Sequence, residues 1–222
     1  MDKDRIISNS YGNMYKTANF PLNTGNYLIN NQEENFYNVE EENNLLASSG
    51  WELKKGIWQK IENYRAKGLE LNLVVRASDE TRCIAAEDIK NQLQEQGILI
   101  NIIYADDSSY NSYLNNINYD MMLCSIKQSI SPDLTTYFGD NNLAKFSNSE
   151  VNEIMNVAKN SKDTNELKSK YQRLYEIYNE EVPYIGIARN KIMAVKNTSL
   201  VGDVKANWYN MFYNIKEWYT SK

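Results

Sequence analysis

Apolar residues recur along this chain with two different periods, and the switches between them mark its elements. Leu69–Val75 is a leucine and valine run of strand length, with Leu69, Leu71 and Leu73 alternating onto one face. Ser78 then offers a helix N-cap, with Asp79 and Glu80 in the first turn, where the helix dipole favours negative charge. Ala86, Ile89 and Leu93 follow at helical spacing, and Gly97 is placed to end that helix in a left-handed cap. Ile98–Tyr104 is a second apolar run. Strand, helix and strand within about 35 residues predict a right-handed βαβ unit with parallel strands.

The rest of the chain is read in the same way. Asp2–Tyr11 predicts a short helix tail anchored by Ile6 and Ile7, and Gly12 to Asn31 a loop-rich segment. A helix through Val39, Leu45, Leu46 and Ala47 is expected to end near Ser49–Gly50, with Glu40, Glu41 and Glu42 on its solvated face. Trp51–Ile61 suits a small hairpin around Gly56, and Glu62–Gly68 reads as a polar connector. Beyond Tyr104, Tyr110–Asn118 predicts a short helix and Tyr119–Ser125 a third strand. Ser131 as N-cap with Pro132 at the first helical position starts a helix that carries Leu134, Tyr137 and Phe138 and closes at Gly139. Ser147 with Glu150, and Asp163 with Glu166, read as capping boxes at the heads of two further amphipathic helices. Pro183 ends the second. Tyr184–Ala188 and Lys191–Lys196 predict two more strands, Gly202 a turn, and Asn207–Tyr219 an aromatic tail. Strands alternating with helices indicate an α/β domain, a mainly parallel sheet flanked by helices, over residues 1–222.

Composition narrows the chemistry. A net charge of −5 argues against nucleic acid and against an anionic membrane surface as partners. The chain has no histidine, which removes the Ser-His-Asp triad, the Cys-His pair and every histidine-containing zinc site. Cys83 and Cys124 are too few for a structural zinc site; they read as two separate buried thiols, with a disulfide left open. No phosphate loop or nucleophile elbow is present, so no cofactor and no metal is expected. No stretch resembles a signal peptide or a membrane span, which leaves a cytoplasmic protein or a piece of something longer.

In open α/β sheets ligands sit outside the carboxyl ends of the strands. Here that means Ala77–Asp79, Ala105–Ser108 and, above all, Ser125–Asp133. Ser125, Ile126, Lys127, Gln128 and Ser129 follow the third strand, and the helix starting at Ser131-Pro132 would aim backbone N–H groups at the same place. Lys127 adds a positive charge; Asp133 opposes an anion or pairs with an amine. An ordinary capped junction with a solvated lysine has the same spacing. Two other uses stay open: a small cytoplasmic enzyme built on Asp106, Asp107 or Lys127, and an interaction module that displays the aromatic tail. Adjacent aspartates in a turn more often bond their own backbone.

Several stretches together resemble a known family. LLASSGWELKKGIWQK, the βαβ unit after it, YDMMLCSIKQSISPDLTTYF, NNLAKFSNSEVNEIM, the helix ending EEVPYIGI, and NWYNMFYNIKEWY resemble, in that order, segments of the extracellular oligopeptide-binding proteins, the family 5 solute-binding components of ABC importers. The resemblance implies one lobe of the type II periplasmic-binding-protein fold, the second, cut from a longer, lipid-anchored extracellular protein. Residues 1–31 and 205–222 would then be loop-rich or hinge-proximal. It implies no catalysis. A peptide or other small solute would bind between this lobe and a missing first lobe, with ABC permease subunits as further partners. The solute's backbone would lie on Ser125 to Asp133 and its side chains against Tyr137 or a tail aromatic such as Trp208. The family's loop commonly carries an aspartate for the ligand's amino terminus; the matching position here is Gln128, which points away from a free-amine peptide.

Overall fold

The computed structural model describes residues 1–22, 26–29, 38–128, 132–191, 195–205 and 210–221. The N-terminal segment forms helix α1 (Lys3–Ile6), a π-helical turn (Ile7–Tyr11) and strand β1 (Tyr15–Thr17). Helix α2 (Val39–Ser48) leads into a meander of β2 (Glu52–Lys54), β3 (Ile57–Glu62) and β4 (Arg65–Gly68). Then come β5 (Glu70–Arg76), α3 (Glu80–Glu95), β6 (Leu99–Ala105), α4 (Asp107–Asn116) and β7 (Met121–Met122). Helices α5 (Thr135–Phe138), α6 (Ser149–Asn160) and α7 (Thr164–Glu181) follow, and β8 (Ala188–Asn190), β9 (Leu200–Val201) and β10 (Tyr219–Thr220) complete the order.

The predicted βαβ unit is present. β5 pairs in parallel with β6 from Glu70↔Leu99 to Arg76↔Ala105, and with β7 through Leu73↔Met121 and Val74↔Met122. The strand order is β6-β5-β7, so the chain reverses direction across β5. Alternation along β5 sorts its side chains: Leu73 and Val75 pack on Ala85, Ala86 and Ile89 of α3, while Val74 packs on Ala105 and on Tyr110 of α4. Helices thus cover both faces, as a parallel sheet requires. The sheets outside this trio are antiparallel: β2-β3-β4, β1 with β8, and β9 with β10. Among the described residues no helix is long and apolar enough to cross a membrane.

Local chemistry accounts for the joints. Gly97 has φ +82°, and a Cβ there would sit 2.8 Å from the Gly56 carbonyl oxygen, so the α3–β6 turn needs glycine twice over. Trp58 closes the same corner, its backbone N–H donating to Gly97 O at 3.0 Å and its indole N–H to Gln96 O at 2.9 Å. α1 is fastened to α3 by two buried polar side chains. Gln92 accepts from the Asp2 amide at 2.6 Å and donates to Asp2 O at 3.1 Å, while Asp88 pairs with Arg5 at 3.1 Å and accepts from Asn9 at 3.2 Å. A separate core joins Phe20, Leu22, Leu28 and Ile29 to Leu134, Phe138, Ile154 and Leu174.

Several expectations change. Asp79, not Ser78, caps α3, and Asn148, not Ser147, caps α6, each side chain accepting from backbone amides of the first turn; Asp163 caps α7 as expected. The polar connector contains β4, whose residues are mostly exposed and carry no apolar stripe to betray it. Tyr184–Ile187 are not strand, and β8 pairs with β1 instead of joining the parallel sheet. Half of the expected fifth strand, Lys191–Lys196, lies outside the described residues, and Lys191, Val195 and Lys196 are not strand. No disulfide joins the cysteines: Cys83 is half-buried and Cys124 exposed, which also corrects the expectation that both thiols are buried.

Candidate functional site

The carboxyl ends of β5, β6 and β7 converge on one rim. Tyr110, buried on α4, donates its hydroxyl to the Leu123 carbonyl at 2.6 Å, and the Leu123 amide donates to Val74 O at 2.9 Å. The chain is therefore held on both sides where it leaves β7. The Arg76 guanidinium lies 4.5 Å over the Tyr110 ring and meets the Asp107 carboxylate at 2.5 Å. Arg82, one turn into α3, pairs through Nε with Asp79 at 3.2 Å and donates from Nη2 to Ser125 Oγ at 2.7 Å. Arg82 thus ties the first turn of the central helix to the loop after β7. The sheet-order reversal places the crevice of an open α/β sheet at the ends of β5 and β7, where these bonds lie.

Of the residues expected at the site, Ser125 and Lys127 are exposed and Ile126 and Gln128 half-buried, all on this rim. Ser129 and Trp208 lie outside the described residues, as does Ser131. The helix expected to start at Ser131-Pro132 begins at Thr135 and is a single turn. Asp133 is exposed at the head of α5. It accepts from the Thr135 hydroxyl at 2.5 Å and the Thr135 amide at 2.9 Å, and those bonds hold its carboxyl below the usual range. The Pro132 carbonyl accepts from the Tyr171 hydroxyl at 2.6 Å. Tyr137 is half-buried with its ring 5.5 Å from Tyr184; burial first, then Cys124 and Tyr184, push its hydroxyl up to about 12.

The aspartates named for an enzyme have structural roles. Asp106 caps α4 by accepting from the Ser109 amide at 2.8 Å, and its carboxyl is held below the usual range by that residue's amide and hydroxyl. Asp107 is engaged by Arg76. Lys127 is not paired with either of them. A surface depression of about 420 Å³ is lined by Glu150, Lys170, Arg173 and Glu176 on α6 and α7, away from the strand-end residues. Its charged walls are occupied by their own ion pairs, Arg173–Glu150 at 2.8 Å foremost.

Sequence reasoning passed over Arg76, Arg82 and Tyr110. A detectable signal existed for Arg82, which stands three residues beyond an aspartate able to cap and pair with it. Tyr110 looked like one apolar position among several on a helix, and its hydroxyl bond spans 13 residues to a carbonyl that no local pattern marks.

A three-stranded parallel sheet with helices on both faces and an open strand-end rim defines an α/β lobe of the type II periplasmic-binding-protein kind, and solved structures share it. Oligopeptide-binding protein AppA from Bacillus subtilis, solved with a nonapeptide, matches with TM-score 0.71 and 20% identity over 100% of this chain and 46% of its own. An oligopeptide ABC transporter's periplasmic binding protein from Thermotoga maritima gives TM-score 0.74 and 21% identity over 86% of this chain and 39% of that one. NikZ from Campylobacter jejuni, in complex with Ni(L-His), gives TM-score 0.74 and 22% identity over 100% and 46%. The chain therefore spans less than half the length of these solved relatives. Among curated protein sequences no match was found. The sequence profile of the bacterial extracellular solute-binding proteins, family 5 (middle), matches residues 1–147, and the chain belongs to that family.

Proposed function

We propose that this chain is the ligand-binding second lobe of the substrate-binding component of an ABC importer, and that it takes a peptide or peptide-like solute without chemistry. The observation that carries the reading is the rim itself. In a chain of this family, residues 125–128 run exposed to half-exposed from the carboxyl end of a parallel sheet, tethered by Arg82 and Tyr110 yet not buried by the described residues. Solute backbone would lie along this loop, with Lys127 near any carboxylate. A first lobe would close the other side by hinge motion, and permease subunits would receive the loaded protein. The working location is the extracellular face of the membrane, with a lipid anchor on the full protein. Gln128, neutral where a free amine would want a carboxylate, favours amine-blocked solutes.

Half a cleft buries only one side of its ligand and binds weakly alone. Calorimetry of a mixed peptide digest, run on the 222-residue chain and on a version extended to include a first lobe, tests this. Little heat from the first and clear binding by the second are expected. Micromolar binding by the shorter chain would count against the two-lobe reading. N-acetylated peptides binding at least as well as free-amine ones would support the role given to Gln128.

A further inference from the structure

We propose that Ser125 donates its hydroxyl to a backbone carbonyl of the solute, and that Arg82 is the positioning residue that aims and polarises this hydroxyl without touching the solute itself. This rests on the reading of the strand-end rim as the ligand face, and it adds which atom of the rim the solute meets and what holds that atom in place.

Arg82 is fixed before it reaches the loop. It stands on the first turn of α3, and the capping Asp79 grips it twice: Oδ1 accepts from the Arg82 amide at 3.0 Å, and Oδ2 pairs with Nε at 3.2 Å. Both side chains are mostly buried, Arg82 at 19% and Asp79 at 28% exposure. One turn on, Ala85 and Ala86 are sealed against Leu73 and Val75, so the helix that carries Arg82 is seated on the sheet. The guanidinium is thereby oriented, and Nη2 donates to Ser125 Oγ at 2.7 Å, the short distance of a charged donor. The loop is held two residues earlier as well: the Leu123 amide donates to Val74 O, and the Leu123 carbonyl accepts from Tyr110. Ser125 is therefore pinned through the backbone at 123 and through its own side chain. The other strand-end arginine does not share this role. Arg76 lies over the Tyr110 ring on the α4 side of the sheet and is engaged by Asp107.

What remains on Ser125 is a donor. A hydroxyl that accepts a hydrogen bond still has one proton to give. No hydrogen bond among the described residues takes that proton, and Ser125 is exposed. The guanidinium sits on the lone-pair side of the oxygen, so the proton points away from Arg82. Accepting from a cation also polarises the O–H bond and makes it a better donor. Asp79 balances the charge of Arg82, so the chain of Asp79, Arg82 and Ser125 ends in a dipole. The partner that suits such a donor is a neutral oxygen acceptor, such as an amide carbonyl. An ammonium has no lone pair to offer it, which agrees with the neutral Gln128 three residues further on.

The test titrates the isotope-labelled 222-residue chain by NMR with a doubly blocked peptide, acetyl-Ala-Ala-Ala-amide, at millimolar concentration, and with a set of analogues in which one carbonyl at a time is a thiocarbonyl, a poorer acceptor. The parent peptide is expected to shift the amides of 125–128, and one thioamide to bind about two- to tenfold more weakly. Ser125→Ala should weaken the parent by a similar factor and abolish the thioamide penalty, whereas Ser125→Thr, which keeps a hydroxyl, should retain the penalty. Arg82→Ala should weaken the parent as well, and the double variant should bind within about twofold of Ser125→Ala, because Arg82 acts only through that hydroxyl. Ser125 is exposed, so its variants should leave the thermal midpoint nearly unmoved, and they carry the test if Arg82→Ala fails to fold. Wild-type affinity or an intact thioamide penalty in Ser125→Ala would overturn the proposal and, with 125–128 still shifting, leave the rim reading standing. Full affinity in Arg82→Ala, or additive losses in the double variant, would overturn the role given to Arg82. No shift at 125–128 with any probe would overturn both the proposal and the rim reading.

Discussion

Replacing Tyr110 by Phe removes one oxygen from the structure and tests how the rim is held. That oxygen donates to the Leu123 carbonyl at 2.6 Å, and both residues are buried, at 4% and 8% exposure. The ring remains, and with it most of the packing against Val74 and the stacking of Arg76 at 4.5 Å. What is lost is the donor for a buried carbonyl, which costs about 1–3 kcal/mol. A loss of about 2 kcal/mol lowers the urea midpoint by about 0.7 M at a slope of about 3 kcal/mol/M. The damage should also be local. The Leu123 amide bonds to Val74 O at 2.9 Å on the opposite side, so its hydrogen exchange and that of 124–126 should quicken while the amides of α7 keep their protection. A midpoint shift under about 0.2 M, or exchange that rises uniformly, would refute the idea that this hydroxyl pins the end of β7.

Gly97→Ala should destabilise by more than about 2 kcal/mol, because it combines left-handed backbone strain with a Cβ 2.8 Å from a carbonyl oxygen; thermal unfolding reads it. Asp88→Ala should cost about 1–2 kcal/mol, below the value for a fully buried pair because Arg5 is 41% exposed, and should release α1 to proteolysis. Alkaline stability should fall from about pH 10, read as urea midpoints at pH 9 and 11.5 with phenolate absorbance. Tyr104 is raised to about 12 by its bond to Glu87, and Tyr137 and Tyr171 to about 12 by burial. The native state therefore keeps phenolic protons that the unfolded chain has released, and this stabilisation, full below pH 10, is lost as pH climbs through 12. Equal midpoints at the two pH values would contradict it.

Elements whose cause is local were legible from residues alone. The run around Val74, the stripe of Ala86 and Ile89, the stop at Gly97 and the cap at Asp163 each follow from neighbours within one or two turns. The caps misread by one residue, Ser78 for Asp79 and Ser147 for Asn148, were choices between adjacent side chains equally able to accept an amide proton. β4 went unseen because Arg65–Gly68 lacks the alternation that reveals a half-buried strand.

Periodicity and turn chemistry thus sufficed for an α/β unit with parallel strands and for the rim after β7, because strand, crossover helix and strand leave one arrangement open to the chain. Which side chains meet on that rim was settled only by the packed molecule. Arg82 reaches Ser125 there across 43 residues, and elsewhere Tyr184 reaches Asn142 across 42. β1 finds β8 through Tyr15↔Asn190. No window of sequence contains such pairs; they exist because burying the apolar faces of α3, α4 and α7 brings their polar neighbours together, and each then bonds to whatever stands opposite.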